Sequence, residues 1–412
     1  MSNHLKCRFC HQELTRTFVD LGKTPLANSY LKAETDIPAE KSYPLHARVC
    51  ENCFLVQVED AVPAEEIFSD YAYFSSYSDS WVEHARQYAE KLTDRLALSP
   101  SSMVMEVASN DGYLLKHFVA KSIPVLGIEP AANVAKAAEA VGVRTEVAFF
   151  GKETAKRLAS QGLKADLIAA NNVMAHVPDI NDFIAGFEIL LAEDGAFTIE
   201  FPHLLNLINH VQFDTIYHEH YSYLSLVTVE KILQAHGLKV FDVEELSTHG
   251  GSLRVYACHS GCQKFHESEA LKAVREKEES ARMANMEAYA DFTPKVEHAR
   301  HSLLAFLKEA KENGKTVAAY GAAAKGNTLL NYCQVGVDSI DFVVDRNPEK
   351  QGTLLPGSHI PVYDPSHIDK EKPDYVLILP WNIADEISMD MKHISDWNGQ
   401  FVVAIPSTRI LV

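Results

Sequence analysis

The most chemically reactive part of the sequence is a run of polar and aromatic residues, Tyr217–Tyr223. It contains His218, Glu219 and His220 among three tyrosines and a serine, and apolar segments flank it on both sides. Histidine is the natural general base near neutral pH, and a neighbouring carboxylate can orient or polarise it. We therefore expect a proton-transfer site here. There are two alternative interpretations of this run: a metal site formed by His218 and His220, and an exposed loop.

Two cysteine pairs have the spacing of a metal site. Cys7 and Cys10 form the first pair, and Cys50 and Cys53 form the second. Four thiolates fill the tetrahedral shell of one Zn²⁺ and leave no open position for chemistry. The sequence therefore predicts one structural zinc ion that stabilises a module with little core of its own. Weaker alternatives are unrelated buried thiols, a redox pair, or a histidine as substitute ligand: His4, His11 or His46.

The loop Glu106–Gly112 follows a predicted strand and precedes a predicted helix, which is where open α/β sheets bind ligands. The three-glycine pattern of dinucleotide sites is absent, because Ala108 and Asn110 occupy two of its positions. The acidic side chains of Glu106 and Asp111 suit a ligand with a positive charge and no diphosphate. We therefore expect S-adenosylmethionine, which carries a sulfonium and an α-amino group, rather than NAD.

Three residues at the ends of later strands extend this site. Glu129 ends the second predicted strand, where a carboxylate can accept hydrogen bonds from both ribose hydroxyls. Asn171 and His176 follow the next strand, at the carboxyl edge of the predicted sheet. A solvent-facing strand end for Glu129 and a structural role for His176 are the alternatives.

A second ligand-binding pattern lies at Gly321–Thr328. It follows a predicted strand and opens an apolar helix with small residues and one lysine, Lys325. Such a helix N-terminus can bind a diphosphate, and Asp345, 24 positions after Gly321, has nearly the spacing of a ribose-binding carboxylate. Tight packing between helix and strand would also need these small residues. The Gly-x4-Gly spacing speaks against NAD.

Alternating strands and helices must position these residues. Predicted strands begin near positions 103, 125, 165, 195, 316, 340 and 375, with helical segments between several of them and a helix over 66–98. This alternation predicts an α/β fold with doubly wound parallel sheets. Residues 1–65 form a small β-rich module, and residues 263–312 form a polar helical connector.

Composition limits the possible partners. Of the 412 residues, 47% are hydrophobic and 23% are charged, which is typical of a globular protein with roughly two to four domains. The 38 basic and 56 acidic residues give a net charge of −18, which disfavours nucleic acid and anionic membranes as partners. We find no membrane-spanning stretch and no secretion signal. We therefore expect a cytoplasmic protein, and a reducing cytosol argues against disulfides in the two cysteine pairs.

The motifs together resemble a known family. In order along the chain they are the two cysteine pairs, Phe18–Gly22, Pro25–Asn28, Tyr71–Ser78, Glu106–Gly112, Tyr217–His220, Gly250–Tyr256 and Gly321–Asn327. This set resembles the zinc-containing, S-adenosylmethionine-dependent C-methyltransferases that act at C3 of nucleotide-linked 4-keto-deoxysugars, over essentially the whole chain. The resemblance implies a zinc-binding module (1–65), a Rossmann-like methyltransferase core with a helical lead-in (66–262), the connector (263–312) and a second Rossmann-like α/β domain that holds the nucleotide sugar (313–412).

The resemblance also implies the residues of the site. The catalytic set, with His220 as the base, is Tyr71, His176, Tyr217, Glu219 and His220. The cofactor-binding set that we predict is Tyr77, Glu106, Ala108, Asn110, Gly112, Glu129, Pro130 and Asn171. The substrate-binding set that we predict is Arg254, Gly321, Lys325, Asn327 and Asp345.

The expected reaction follows from carbonyl chemistry. A 4-keto group acidifies the hydrogen on the neighbouring sugar carbon, and His220 removes this proton while Glu219 supports the imidazolium. Tyr217 or His176 donates to the enolate oxygen, and the enolate carbon takes the methyl group. The zinc ion takes no part in the chemistry.

Two other functions stay open from the sequence alone. One is an NAD-dependent oxidoreductase of nucleotide sugars, and the other is a non-catalytic, zinc-stabilised binding protein. Thymidine, cytidine and guanosine diphosphate all fit as the nucleotide carrier. The polar connector allows a monomer or a weak homo-oligomer.

Overall fold

The computed structural model describes residues 5–63, 74–77 and 79–411. Tyr71 and the first part of the helix predicted over 66–98 lie outside these residues. The strands are β1 (Arg16–Thr24), β2 (Tyr43–Val49), β3 (Val56–Gln57), β4 (Val104–Val107), β5 (Val125–Ile128), β6 (Thr145–Glu146), β7 (Ala165–Asn171), β8 (Leu191–Pro202), β9 (Ser222–Tyr223), β10 (Leu238–Leu246), β11 (Ser252–His259), β12 (Val317–Tyr320), β13 (Val343–Val344), β14 (Val362–Tyr363), β15 (Tyr375–Ile378), β16 (Gln400–Val403) and β17 (Arg409–Ile410).

Helices alternate with these strands from position 79 onward. They are α1 (Asp79–Leu96), α2 (Leu115–Val119), α3 (Ala132–Ala140), α4 (Lys152–Ser160), α5 (Ile180–Leu190), α6 (Leu204–Asn209), α7 (Leu226–Ala235), α8 (Glu269–Ser280), α9 (Glu287–Ala290), α10 (Phe292–Glu312), α11 (Ala324–Cys333), α12 (His367–Glu371) and α13 (Ala384–Asp390). No helix in the described ranges is long and apolar enough to cross a membrane.

A small antiparallel sheet has the order β1-β2-β3-β9, with Cys7 and Cys10 before β1 and Cys50 and Cys53 in the turn between β2 and β3. Its last strand, β9, comes from the histidine-rich run rather than from the N-terminal module, and Val56 and Gln57 pair with Tyr223 and Ser222. This pairing joins the module directly to the segment that we predict to be catalytic.

The central sheet has seven strands in the order β10-β11-β8-β7-β4-β5-β6. Strands β4 to β8 run parallel, and β11 is antiparallel to both β8 and β10. Val104–Val107 is buried at every position, as expected for a parallel strand covered by helices on both faces. The sheet reverses direction of winding between β4 and β7, so the loops after these strands lie at a topological switch point, where such sheets bind ligands.

The third sheet has the order β14-β13-β12-β15-β16-β17 and is parallel except for β17. Its switch point lies between β12 and β15, so the loop that contains Gly321 follows the central strand. The doubly wound α/β fold predicted from the sequence is confirmed in both sheets.

The connector helices do more than bridge two domains. In α10, Val296, Leu303 and Leu307 are buried, and Phe292 at its start stacks on Phe18 of the N-terminal module with ring centroids 4.3 Å apart. The connector therefore packs the zinc module against the rest of the protein.

Candidate active site

The four predicted metal ligands converge. Their Sγ atoms lie within 4.8 Å of one another, and the pairs Cys7–Cys53 and Cys10–Cys50 are each 3.5 Å apart. A tetrahedron with Zn–S bonds of about 2.3 Å has edges of about 3.8 Å, so the four thiols fit one zinc ion. Hydrogen bonding with Cys50 and Cys53, and from Gln57 Nε2, holds the pKa of Cys7 below its ordinary value.

Left-handed backbone conformations shape the loop after β4. The φ angles are +55° at Ala108, +49° at Asn110 and +78° at Gly112. A Cβ atom at Gly112 would lie 3.0 Å from the Val143 side chain, so this position requires glycine. Ala108 and Asn110 thus adopt bends for which glycine is the usual residue, and this explains how the loop forms without the three-glycine pattern.

Glu129 fastens this loop to the end of β5. Its Oε2 accepts from Asn110 N and its Oε1 from Ala131 N, both at 2.9 Å. Burial raises the pKa of Glu129, and the two backbone donors oppose this rise. Because each carboxylate oxygen can accept more than one hydrogen bond, Glu129 can still accept the hydrogen bonds that we predict from the ribose hydroxyls. Pro130 lies between Glu129 and Ala131, which are joined by one of these hydrogen bonds.

Several buried polar atoms around the loop have no hydrogen-bond partner in the described part of the chain. They are Glu106 Oε2, Asp111 Oδ1 and Asn171 Oδ1. Burial raises the pKa of Glu106 well above its ordinary value. Since buried polar atoms are normally paired, these three atoms fit a polar, positively charged cofactor such as S-adenosylmethionine bound at the switch point.

A short segment before α1 closes over the same loop. Ser75 N donates to Asn110 Oδ1 at 2.9 Å, and Ser76 N donates to Asp111 Oδ2 at 3.0 Å. Tyr77 follows, 80% exposed, with its ring stacked on Phe74. The structure thus places Tyr77 beside the loop but leaves its side chain open to solvent.

His220 is held as a neutral imidazole with a defined tautomer. Its Nδ1 lies 3.0 Å from Thr215 O, and its Nε2 lies 2.9 Å from Tyr217 Oη. A carbonyl oxygen only accepts, so Nδ1 carries the hydrogen and Nε2 accepts from the tyrosine hydroxyl. Burial lowers the pKa of His220 well below its ordinary value. Nε2 is therefore unprotonated at neutral pH, as a general base must be.

His176 lies beside His220, with the two ring centroids 4.6 Å apart. Its Nδ1 donates to Glu219 O at 2.8 Å, and burial lowers its pKa to about 4. A neutral ring with hydrogen on Nδ1 can accept but not donate at Nε2. Of the two donors expected for the enolate oxygen, this tautomer leaves only Tyr217.

The Glu219 carboxylate is hydrogen-bonded to Asn28 and not to His220 in the part of the chain that the structure describes. Both of its oxygens accept from Asn28 Nδ2, at 2.8 and 2.9 Å, and burial raises its pKa. A backbone turn closed by His220 N donating to Tyr217 O brings the His220 ring beside the Tyr217 hydroxyl. The support of His220 that we expected from Glu219 comes instead from the Thr215 carbonyl.

The loop after β12 is rigidly built. Gly321 has φ +91°, and a Cβ there would lie 2.5 Å from Pro380. Ala322 N donates to Asp345 Oδ2 at 2.7 Å, while Ala322 O accepts from Tyr30 Oη and Lys350 Nζ at 2.5 and 2.6 Å. Asp345 thus orders the loop in addition to any ligand contact.

The other predicted substrate-binding residues differ in accessibility. Lys325 Nζ donates to Asn382 Oδ1 at 2.6 Å and lies 4.8 Å from the Trp381 ring centroid. Asn327 is 1% exposed, and its amide donates to a backbone carbonyl of the N-terminal module. Arg254 is 4% exposed and its guanidinium pairs with Glu200. Lys325 is therefore half-buried, whereas Asn327 and Arg254 are buried and bonded inside the protein.

Sequence reasoning missed several residues of the site. Asn28 ends the motif Pro25–Asn28, yet nothing in that motif indicates that its side chain bonds to Glu219. Trp381 Nε1 donates at 2.7 Å to Asp214 Oδ2. The next residue, Thr215, supplies the carbonyl that accepts from His220. Lys350 adds a second cation to the loop after β12. No periodicity or spacing in the sequence indicates Asp214, Trp381 or Lys350.

Comparison with known proteins decides the family. Residues 7–68 match a zinc binding domain, residues 81–243 a methyltransferase domain and residues 247–406 a C-methyltransferase C-terminal domain. The C-methyltransferase NovU of Streptomyces niveus is 36% identical over 407 residues, which are 98% of this chain and 96% of NovU. The chain belongs to the C-methyltransferase family.

Comparison with solved structures finds methyltransferases that resemble about half of the chain at low identity. Magnesium protoporphyrin IX methyltransferase of Synechocystis is 16% identical, with 48% of this chain and 89% of that chain covered at a TM-score of 0.34. 1,6-Didemethyltoxoflavin-N1-methyltransferase of Burkholderia thailandensis is 16% identical, with 50% and 95% covered at a TM-score of 0.36. At these TM-scores neither likeness carries an argument about fold or substrate.

The family assignment confirms three expectations. The protein is an S-adenosylmethionine-dependent C-methyltransferase, its fold is α/β with a zinc module and a further α/β domain, and its four N-terminal cysteines match a zinc binding domain. The oxidoreductase and the non-catalytic binding protein are not favoured.

Proposed function

We propose that this C-methyltransferase methylates the carbon next to the 4-keto group, at C3, of a nucleoside-diphosphate-linked deoxyhexose. The observation that carries the proposal is the tautomer of His220, which presents an unprotonated Nε2 in a buried site. Carbon methylation needs a carbanion-like nucleophile, and a neutral imidazole beside an acidified C–H bond can create one.

The proposed reaction starts with proton transfer. His220 Nε2 takes the proton from C3, and the electron pair of the C–H bond moves into an enolate. The Thr215 carbonyl, 3.0 Å from Nδ1, stabilises the imidazolium that forms. S-adenosylmethionine, when bound, would supply the methyl group as an electrophile: as the enolate carbon bonds to it, the methyl–sulfur bond would break with its electron pair left on sulfur, and the keto group would re-form.

Tyr217 is the proposed donor to the enolate oxygen. Its hydroxyl lies 2.9 Å from His220 Nε2 and turns to the sugar oxygen as the base takes up its proton. A donor aimed at developing negative charge in a water-poor site stabilises the transition state strongly. The same hydrogen bond makes Tyr217 a second candidate for the base. In that case the Tyr217 oxygen takes the C3 proton while His220 Nε2 accepts the phenolic hydrogen.

The nucleoside diphosphate is proposed to bind at the loop after β12. The N-terminus of α11, Lys325 and Lys350 provide positive potential there, which the net charge of −18 lacks elsewhere. A helix N-terminus with nearby lysines is a common phosphate site. Binding assays with thymidine, cytidine and guanosine diphosphate decide which nucleotide the sugar is linked to.

The cellular setting is part of the proposal. Four thiolates that bind zinc must stay reduced, which suits the cytoplasm. We propose a monomer or a weak homo-oligomer acting on small molecules, without nucleic acid or membrane as partner. Light scattering coupled to gel filtration tests the oligomeric state.

The test is incubation of the enzyme and S-adenosylmethionine with separate 4-keto-deoxysugar nucleotides, followed by mass spectrometry. We expect one substrate to gain the mass of one methylene group, with the new carbon attached at C3 in the NMR spectrum. Methyl transfer to oxygen or nitrogen, or reduction of the keto group with NADH, would contradict the proposal.

A further inference from the structure

Residues 25–31 of the zinc module run between the active site and the C-terminal domain. Asn327 Nδ2, at the start of α11, donates to Ala27 O at 2.7 Å. Tyr30 Oη donates to Ala322 O in the loop after β12 at 2.5 Å. These contacts on both sides of residue 28 fix the segment against the proposed nucleotide-sugar domain.

Asn28 reaches from this segment into the active site. Its Nδ2 lies 2.8 and 2.9 Å from the two carboxylate oxygens of Glu219, which is only 8% exposed. No lysine, arginine or histidine forms an ion pair with this carboxylate among the residues that the structure describes. The Asn28 amide is therefore the donor that offsets the burial of Glu219.

Glu219 in turn fixes a catalytic histidine through its backbone. Its carbonyl accepts from His176 Nδ1 at 2.8 Å, and the His176 ring lies 4.6 Å from the ring of His220. The side chain and the carbonyl of one residue thus join Asn28 to the pair of histidines.

We propose that Asn28 is a positioning residue for the methyl-transfer reaction. It holds Glu219 so that the Glu219 carbonyl sets the tautomer and orientation of His176 beside the base. This inference rests on the function proposed above. It gives the zinc module a role in the active site, because the module supplies the segment that carries Asn28.

Two substitutions of Asn28 separate positioning from folding. Asn28→Ala removes the donor, and a lost hydrogen bond to a charged group lowers the rate roughly 10- to 100-fold. Asn28→Asp places two carboxyl groups in contact, which share one proton at low pH and repel each other at high pH. Of the titratable groups nearby, Tyr30 on the same segment interacts with the Glu219 charge, and His176 contacts the Glu219 backbone carbonyl.

The kinetic experiment compares both variants with wild type and with Ser29→Ala, a neighbouring exposed control. We expect Asn28→Ala to lower kcat while the KM for S-adenosylmethionine and the zinc content stay unchanged, and to lower the melting temperature modestly because the buried Glu219 carboxylate loses its donor. We expect Asn28→Asp to be more active than Asn28→Ala at low pH and to lose this advantage as pH rises. Wild-type kcat in Asn28→Ala, or identical pH profiles of the two variants, would overturn the proposal.

A second readout does not need turnover. Nitrogen-15 NMR of labelled histidines reports the tautomer of His176, assigned by comparison with His176→Gln. We expect the hydrogen of His176 to be fixed on Nδ1 in wild type and in Ser29→Ala, and to exchange between tautomers in Asn28→Ala. Unchanged His176 shifts would refute the positioning role, whereas failure to methylate any keto sugar would refute only the proposed function.

Discussion

Replacing Asp214 by asparagine tests how much a buried ionised carboxylate between the core and the C-terminal domain lowers the free energy of unfolding. Asp214 is fully buried, its Oδ2 accepts from Trp381 Nε1 at 2.7 Å, and its Oδ1 has no partner among the described residues. Burial raises the pKa of Asp214 from 3.8 to about 6, opposed by the charge of Lys325. Asparagine has the same shape and keeps an acceptor for Trp381.

The expected magnitude follows from this pKa. The native carboxyl binds its proton more tightly than the unfolded one, so its contribution to stability is greatest below pH 4 and is lost as pH rises through about 6. At pH 7.5 the ionised native carboxylate costs about 3 kcal/mol, at about 1.4 kcal/mol per pKa unit, and at pH 5 about half of that. Asp214→Asn removes this cost.

Urea unfolding followed by tryptophan fluorescence at pH 5 and pH 7.5 measures the difference. We expect Asp214→Asn to be more stable than wild type by up to about 3 kcal/mol at pH 7.5 and by about half as much at pH 5. The exposed Asp338→Asn serves as control and should show no difference at either pH. A destabilised Asp214→Asn, or a gain that does not change with pH, would refute this reasoning.

Three further predictions concern the separate binding sites. Cys7→Ser removes one of four zinc ligands, so we expect loss of zinc by atomic absorption and a lower melting temperature; full metal content would argue against a four-thiolate site. Glu129→Ala removes the proposed ribose acceptor and the anchor of the loop after β4, so calorimetry should show at least a roughly tenfold weaker affinity for S-adenosylmethionine; equal affinity would exclude that role. Lys325→Ala should weaken binding of a nucleoside diphosphate roughly tenfold without changing the affinity for S-adenosylmethionine, and a parallel loss of both would show a general defect.

Local pattern was sufficient for the fold because buried parallel strands are continuous apolar runs. Val104–Val107 and Tyr375–Ile378 lie where the sequence predicts them. Differences arise where pairing rather than composition sets the ends. Strand β8 begins at Leu191, because Leu191 pairs with Ala165 across an irregularity in register, whereas the sequence predicts a start near 195.

The site was predictable only in part. The cysteine pairs and the histidine run are local signals, and the structure brings each set together. Contacts between distant segments carry no such signal: Asn28 and Glu219 are 191 positions apart, and Arg254 meets Glu200 through the pairing of β11 with β8. The left-handed conformation of Ala108 and Asn110 is likewise set by the tertiary structure.

Solvent deuterium exchange at C3 of the keto sugar, without methyl donor, tests the central role of His220 most directly. Wild-type enzyme in D₂O should incorporate one deuterium at that carbon, because proton removal precedes carbon–carbon bond formation. His220→Asn should show no exchange while it binds S-adenosylmethionine with wild-type affinity. Exchange by His220→Asn at the wild-type rate would show that another group removes the proton.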